Sequence, residues 1–402
     1  MWLELKWFFP LIEYYYFHQR DMIHRKRGLH ISYSSWRYKL FLPMEDDMMK
    51  NQHAQVNWLR TLPEWPRASL ATLPTPVHRL PRLAEHIGGI DLWMKRDDLT
   101  GLTGGGNKTR KLEFLVADAV SQEADTLVTV GAIQSNHTRQ TASAARKMGL
   151  KCALLHCAWT EDAGQYYRST GNILLSSILG AELYLDEQRR PIEDEGPLNA
   201  LCEHLRNKGQ KPYLIPGGAS DHPLGGFGYA VCAAEITAQA ASLGISVDYV
   251  VHCTGSSGTQ AGLVAGFTAL GEKTRVIGIP DDDETQIKSE RVLRLANDTL
   301  EKLGRPERVE MSDIEIVVGD KSPYGKADTR TYEVIRLIAR TEGLVADPVY
   351  EGKSLRGLME LAERGRFEKG SVVLFLNLGG TSGIHGYADH FEPIRFLPIP
   401  EA

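Results

Sequence analysis

The chain has 402 residues, 42% hydrophobic and 24% charged, an ordinary soluble globular balance over a length that accommodates about two domains. A net charge of -5 gives no electrostatic case for nucleic acid or an anionic membrane, and nothing approaches the ~20 consecutive apolar residues of a membrane span. The five cysteines (Cys152, Cys157, Cys202, Cys232 and Cys253) lack metal-ligand spacing and read as buried free thiols of a reducing compartment, the cytoplasm.

Residues 1–56 are unlike the rest. Trp2, Trp7, Phe8, Phe9, Tyr14, Tyr15, Tyr16 and Phe17 crowd ahead of Arg20, His24, Arg25, Lys26 and Arg27, the reverse of the order in a secretory signal. Glu4, Lys6, Pro10 and Glu13 interrupt the apolar run. The expectation is an N-terminal extension, disordered or upstream of a native start at Met44, Met48 or Met49.

From Asn57 the pattern turns regular. Leu73-Pro-Thr-Pro-Val77 reads as an extended segment, since each proline pushes its predecessor out of helix. Asp91–Lys95 is a short strand, followed by a polar turn, the glycines 104–106 and a helical pattern from Lys108. Thr126–Val130 is a continuous apolar run typical of a buried parallel strand, with a helix after it to Met148 and a further strand at Cys152–His156. Asn172–Leu179 reads as helix, Ala181–Leu185 as strand, 186–198 as an acidic loop and Tyr213–Pro216 as strand. A glycine-rich connection leads to a helix ending near Leu243, the strand Tyr249–His252 and another helix opening after Thr259. Alternation of this kind predicts α/β architecture around parallel sheets.

Three stretches carry chemistry. In Gly104-Gly-Gly-Asn-Lys108-Thr-Arg-Lys-Leu-Glu-Phe-Leu115, a tight glycine turn presents Lys108 at the mouth of a helix. Lysine amines condense with carbonyl compounds, pyridoxal phosphate (PLP) above all, although from spacing alone a surface lysine in a basic helix start is the commoner reading. Thr254-Gly-Ser-Ser-Gly-Thr259 sets glycines and hydroxyls between a strand and a helix. Backbone N–H groups and the helix dipole can gather around an anion there, and an ordinary glycine turn is an equal alternative. Ser135 and Asn136 follow a parallel strand at its carboxyl end, where α/β folds place ligands and where such residues also cap helices. Tyr324 and Tyr350, in Pro/Gly-bearing turns, read as packing residues with bonded hydroxyls.

Gly-Gly-Asn-Lys-Thr-Arg-Lys-Leu-Glu-Phe-Leu resembles the cofactor-lysine segment of a PLP-enzyme family. The family comprises 1-aminocyclopropane-1-carboxylate (ACC) deaminase, D-cysteine desulfhydrase and related sulfo-lyases, of the tryptophan synthase β fold type (fold type II). The similarity runs over about residues 60 to 395, with several motifs in the family's order. It implies that Lys108 holds PLP covalently and that Gly255, Ser256, Ser257, Gly258 and Thr259 cup its phosphate. It also implies that Asn136 meets the phenolic oxygen, that Ser135 contacts the substrate carboxylate, and that Tyr324 and Tyr350 face the substrate, Tyr350 as acid/base or nucleophile.

Glu351 and Leu378 separate the subgroups. A carboxylate beside the pyridine nitrogen keeps it protonated and strengthens the electron sink, whereas a hydroxyl leaves it largely neutral. ACC deaminases carry Glu and Leu at these positions and the desulfhydrases usually Ser or Thr. This chain follows the deaminases. It departs from them at His137, usually Gln, at Lys326-Ala-Asp328 and at Thr381-Ser-Gly-Ile384, and the last two changes are expected on the substrate side. His137 is assigned no catalytic role.

The expectation is an α/β protein of two open, twisted, mostly parallel domains with PLP in the cleft between them. Residues 57–110 and 219–402 would form the larger, PLP-binding domain and 111–218 the smaller. The implied activity is deamination of ACC to 2-oxobutanoate and ammonia, with a small amino acid as substrate, no metal, no nucleic acid or membrane partner, and a homo-oligomer, a dimer, as the assembly. The alternatives are α,β-elimination from D-cysteine or cysteate, giving pyruvate, ammonia and sulfide or sulfite, and a catalytically lapsed PLP-binding protein.

Overall fold

In the computed structural model the chain falls into two units, Met1–Asn51 and Gln52–Ala402. The described residues are 65–399 without 161–163, 189, 191–193 and 283, so the expected extension at 1–56 lies outside them.

Two sheets organise the second unit. The larger contains β1 (Val77–Arg79), β2 (Asp91–Arg96), β7 (Tyr249–Thr254), β8 (Arg275–Pro280), β9 (Glu315–Ile316) and β10 (Val372–Asn377) in the order β1-β2-β10-β7-β8-β9. Only β1 runs antiparallel to its neighbour. The smaller sheet is wholly parallel, β5-β4-β3-β6, from β3 (Thr126–Ala132), β4 (Lys151–Cys157), β5 (Glu182–Asp186) and β6 (Pro212–Ile215).

Helices cover both faces of the larger sheet, which is why its strands are apolar at nearly every position. Alternation of side chains assigns Val250, Leu374, Leu376 and Val276 to one face, packed on α6 (Phe227–Leu243), α7 (Gly258–Leu270) and α8 (Thr285–Lys302). Val251, Phe375, Ile277 and Ile279 point the other way, against α1 (Pro81–Ile87), α9 (Thr329–Glu342) and α10 (Glu351–Glu363). In the smaller sheet Leu127, Cys152 and Leu154 meet α2 (Lys108–Ser121) and α3 (Asn136–Lys147), while Val128, Ala153 and Leu155 meet α5 (Gly196–Asn207). A short helix, α4 (Gly171–Ile178), precedes β5. All five cysteines are free and buried, as expected.

The acidic stretch at 186–198, expected as a loop, runs into α5, a helix without an assignment from the sequence. Pro197 sits in the first turn of α5, where its fixed φ suits a helix start, and Leu198, Leu201, Cys202 and Leu205 supply a buried face at helical spacing. β10, without a strand assignment from the sequence, is inserted between β2 and β7, with Val372 opposite Asp91 and Val373 opposite Tyr249. The carboxyl ends of β2, β3, β7 and β10 thereby lead into the glycine loop, Ser135–Asn136, the Thr254–Thr259 turn and Leu378. Among the described residues no helix is long and apolar enough to cross a membrane.

Candidate active site

The glycine loop joins β2 to α2. Gly105 and Gly106 have φ of 58° and 125°, and a side chain on Gly105 would drive into the Asp98 carbonyl, so the loop demands glycine there. Arg110, in the first turn of α2 and buried, fixes the loop from below. Its Nε and Nη2 donate to Asp97 at 2.7 and 2.8 Å and its Nη1 to Glu235 at 2.9 Å, while Tyr229 donates to Asp97 at 2.6 Å. Lys95, paired with Glu235, completes this buried network. Asn107 ties the loop to the opposite wall, its N–H donating to the Leu378 carbonyl at 3.0 Å and its Nδ2 to Thr259 Oγ1 at 3.0 Å.

Lys108 opens α2, half-buried, with Nζ 5.7 Å from the centre of the Tyr350 ring. Among the described residues Nζ has no hydrogen-bond or ion-pair partner. Burial lowers its pKa, against the pull of Cys253, Asp281, Glu351 and Asp347, which favours the free amine that attacks a carbonyl.

Lys108, Ser135, Asn136, Gly255, Ser256, Ser257, Thr259, Tyr324, Tyr350, Glu351 and Leu378 all line one cavity of about 330 Å³. Gly258 stands just behind the wall as the first residue of α7. Ser257, in the left-handed region at φ 69°, turns the chain so that the helix start faces the cavity. Ser256 shares a hydrogen bond of 2.8 Å with Ser220, to which Lys111 Nζ donates at 2.9 Å. Lys111 is buried and its pKa falls well below the ordinary lysine value through burial first and Lys108 second. A bound anion beside this turn would favour its charged form.

Ser135 caps α3, accepting from the N–H groups of His137 and Thr138 at 3.2 and 3.3 Å, so the capping and cavity readings both hold. His137 also lines the cavity, with its Nε2 bonded into the small sheet. Its Nε2 lies 2.7 Å from Thr129 Oγ1, whose own hydrogen is given to the Ile215 carbonyl, so Nε2 is the protonated nitrogen. Burial, Lys108 and Lys111 hold its pKa well below that of a free histidine. His137→Gln, which restores a donor toward Thr129, is therefore expected to leave turnover within about threefold, under about 1 kcal/mol in the barrier, when initial rates are compared.

Tyr324 and Tyr350 meet hydroxyl to hydroxyl at 2.6 Å, and Trp159 lies edge-on to Tyr324 at 6.2 Å. Burial pushes both phenols up, so they act as neutral hydroxyls, one hydrogen shared and one left to face the cavity. Glu351 begins α10 and is 1% exposed, yet neither carboxylate oxygen completes a hydrogen bond. Burial foremost, then Asp347, pushes its pKa well above the usual carboxylate range. Asp347 is occupied otherwise, accepting from the N–H groups of Val349, Tyr350 and Glu351 at 2.8, 2.9 and 3.1 Å.

An unpartnered amine, a helix start with a buried lysine behind it, and an orphaned carboxyl form three corners of one cavity. They match in turn the aldehyde, the phosphate and the protonated ring nitrogen of PLP, so the residues present fit that group. Among the described residues no cluster of His, Cys, Asp or Glu could hold a metal ion. Trp159, Asp281 and Lys111 were not singled out from the sequence, although Lys111, three residues after Lys108, shares its helix face. Neither 326–328 nor 381–384 is among the residues lining the cavity. Asp328 instead caps α9 by accepting from the Thr331 N–H, and Thr381 donates to the Val345 carbonyl, so local capping and turn bonds claim both segments.

Residues 68–379 match the pyridoxal-phosphate dependent enzyme family. The chain is 44% identical over 338 residues to a 1-aminocyclopropane-1-carboxylate deaminase of Burkholderia vietnamiensis, covering 82% of this chain and 99% of the relative. It is 42% identical over 337 residues to the protein of that name from Burkholderia multivorans, with 82% and 98% covered. A crystal structure of an ACC deaminase homologue superimposes with a TM-score of 0.76 at 36% identity, over 84% of this chain and 98% of that one. O-ureido-L-serine synthase, at 20% identity and a TM-score of 0.56 over 78% and 90%, shares the fold.

Proposed function

The chain belongs to the pyridoxal-phosphate dependent enzyme family, and on that premise we propose that it deaminates 1-aminocyclopropane-1-carboxylate to 2-oxobutanoate and ammonia. The observation that carries this reading is the buried, unpartnered Glu351 carboxyl beside Leu378, where the desulfhydrases usually carry hydroxyls. A buried carboxyl without a partner is costly, and a ring nitrogen bearing a proton would satisfy it.

When bound, PLP supplies an electron sink conjugated to the substrate amine. Lys108 would anchor it and, once released by substrate, move a proton at Nζ. Gly255, Ser256, Ser257, Gly258 and Thr259 would hold the phosphate at the start of α7. Asn136 would donate to the phenolic oxygen, and Leu378 would flank the ring edge beside Glu351. Ser135, its acceptor capacity used by the α3 cap, has its hydrogen left to donate to the substrate carboxylate. The Tyr324–Tyr350 pair would supply or take the proton at the opening three-membered ring, and Trp159, edge-on to Tyr324, lines the same cavity.

Strand allocation supports a small domain at 111–218 and a large one at 57–110 and 219–402, since all four strands of the second sheet fall within the first range. A homodimer, which rests on family resemblance, and a cytoplasmic location, which rests on the buried free thiols, complete the reading.

The test is keto-acid production by purified enzyme given ACC, D-cysteine and L-cysteate separately. 2-Oxobutanoate from ACC is expected, and its rate should collapse in Glu351→Ser/Leu378→Thr. Pyruvate from D-cysteine or cysteate with ACC inert would overturn the substrate, and no keto acid from any of them would favour a lapsed PLP-binding protein.

A further inference from the structure

We propose that Arg139 and Asn172 form a one-way hydrogen-bond relay that holds the Asn136 carboxamide with its Nδ2 donor toward the cavity. This deepens the reading of Asn136 as a cofactor-facing residue and rests on it. A carboxamide can present either its oxygen or its NH₂ group to a ligand, and the two orientations have nearly the same shape. Something must choose between them.

The choice begins at Arg139. A guanidinium can only donate. Arg139 is fully buried in α3, and its hydrogen bonds go to amide oxygens: Nε to Asn172 Oδ1 at 2.7 Å, Nη2 to the Gly105 carbonyl at 2.9 Å and Nη1 to the Thr103 carbonyl. Burial lowers its pKa only to about 10, so it stays charged near neutral pH. With Oδ1 of Asn172 committed to the guanidinium, Nδ2 is turned away. It donates to the Gln134 carbonyl at 2.9 Å and to Asn136 Oδ1 at 2.8 Å. The Gln134 carbonyl can only accept, so two independent partners impose the same orientation on Asn172.

Asn136 inherits the direction. Its Oδ1 is filled by Asn172, and its Nδ2 donates to no atom of the described residues, while the residue lines the cavity. A donor there stabilises a deprotonated ligand oxygen, whereas an acceptor would repel it. Because the same guanidinium grips the Thr103 and Gly105 carbonyls, the loop carrying Lys108 and the orientation of Asn136 are held by one charge. Arg139 and Asn172 are positioning residues, acting through Asn136.

Asn172→Asp tests this. The carboxylate pairs with Arg139, which favours folding, but offers only acceptors, so Asn136 must turn and present Oδ1 to the cavity. PLP affinity, measured by equilibrium dialysis of the apoprotein, is expected to fall at least about tenfold. The visible band of the bound cofactor should shift and its titration midpoint move up. Asn172→Ala, losing the donor without adding charge, should give an intermediate shift and serves if the aspartate variant does not fold. In an Asn136→Ala background, either change is expected to add less than about twofold, because the relay then has nothing to orient. Wild-type affinity and spectrum in the Asn172 variants would overturn the relay, as would an undiminished effect in the Asn136→Ala background. If Asn136→Ala by itself changes neither affinity nor spectrum, the reading of Asn136 falls, and the relay with it.

Discussion

Lys108→Ala is expected to lower turnover by at least about a thousandfold, the scale for removing a group that serves as both nucleophile and proton carrier. The reason is that no neighbouring amine can replace it. Lys111 Nζ is turned to Ser220 and the Gly218 carbonyl, Lys288 is paired with Asp281 and Asp282, and Lys353 donates to the Asp281 and Ser322 carbonyls. Apoprotein stability should be little changed, because Lys108 makes no hydrogen bond or ion pair among the described residues and its amine is held in a desolvated place. Borohydride reduction of the wild-type holoenzyme, followed by peptide mapping, should fix the cofactor on Lys108, with no label in the alanine variant. Near-wild-type turnover in that variant, or label on Lys111, would remove Lys108 from the centre of the site.

Glu351→Gln is expected to act in opposite directions on the two forms of the protein. In the apoprotein, burial and Asp347 raise the Glu351 pKa above its unfolded value of 4.5. A folded state that binds the proton more tightly has that contribution to stability in full below the unfolded pKa and loses it as pH rises through the folded one. Apoprotein stability should therefore decline from acidic toward alkaline pH, and the glutamine variant, which cannot ionise, should lose this part of the slope. Thermal unfolding of both apoproteins across that range measures it. In the holoenzyme the order reverses: the carboxylate gains a partner in the protonated ring nitrogen, glutamine cannot hold that charge, and turnover should fall about a hundredfold. Parallel apoprotein slopes, or an unimpaired Glu351→Gln holoenzyme, would mean that Glu351 does not face the ring nitrogen.

Both predictions rest on residues that were legible one segment at a time. The loop before Lys108 and the turn at Thr254–Thr259 announce themselves because glycines, hydroxyls and helix starts are local signals, set by backbone geometry within a few residues. The strands at Thr126, Cys152 and Tyr249 were legible because burial on both faces leaves a continuous apolar run. The helix Gly196–Asn207 was not legible in this way, since its acidic, proline-bearing approach resembles a loop until the buried leucines of its inner face are counted.

Sequence by itself thus determined the chemistry on offer: an α/β chain with an amine behind a glycine loop, an anion turn, two tyrosines and the choice of Glu351 over a hydroxyl. Tertiary structure alone decided which of these meet. The insertion of β10 between β2 and β7 brings Leu378 beside Asn107, and the Tyr324–Tyr350 contact spans 26 residues. It left 326–328 and 381–384 outside the cavity lining, and it supplied Lys111, Trp159 and the Arg139–Asn172 pair. The physical reason is that a local motif is fixed by backbone sterics over a few residues, whereas a contact across 30 or 250 residues is fixed by strand order and side-chain packing, which leave no period in the chain.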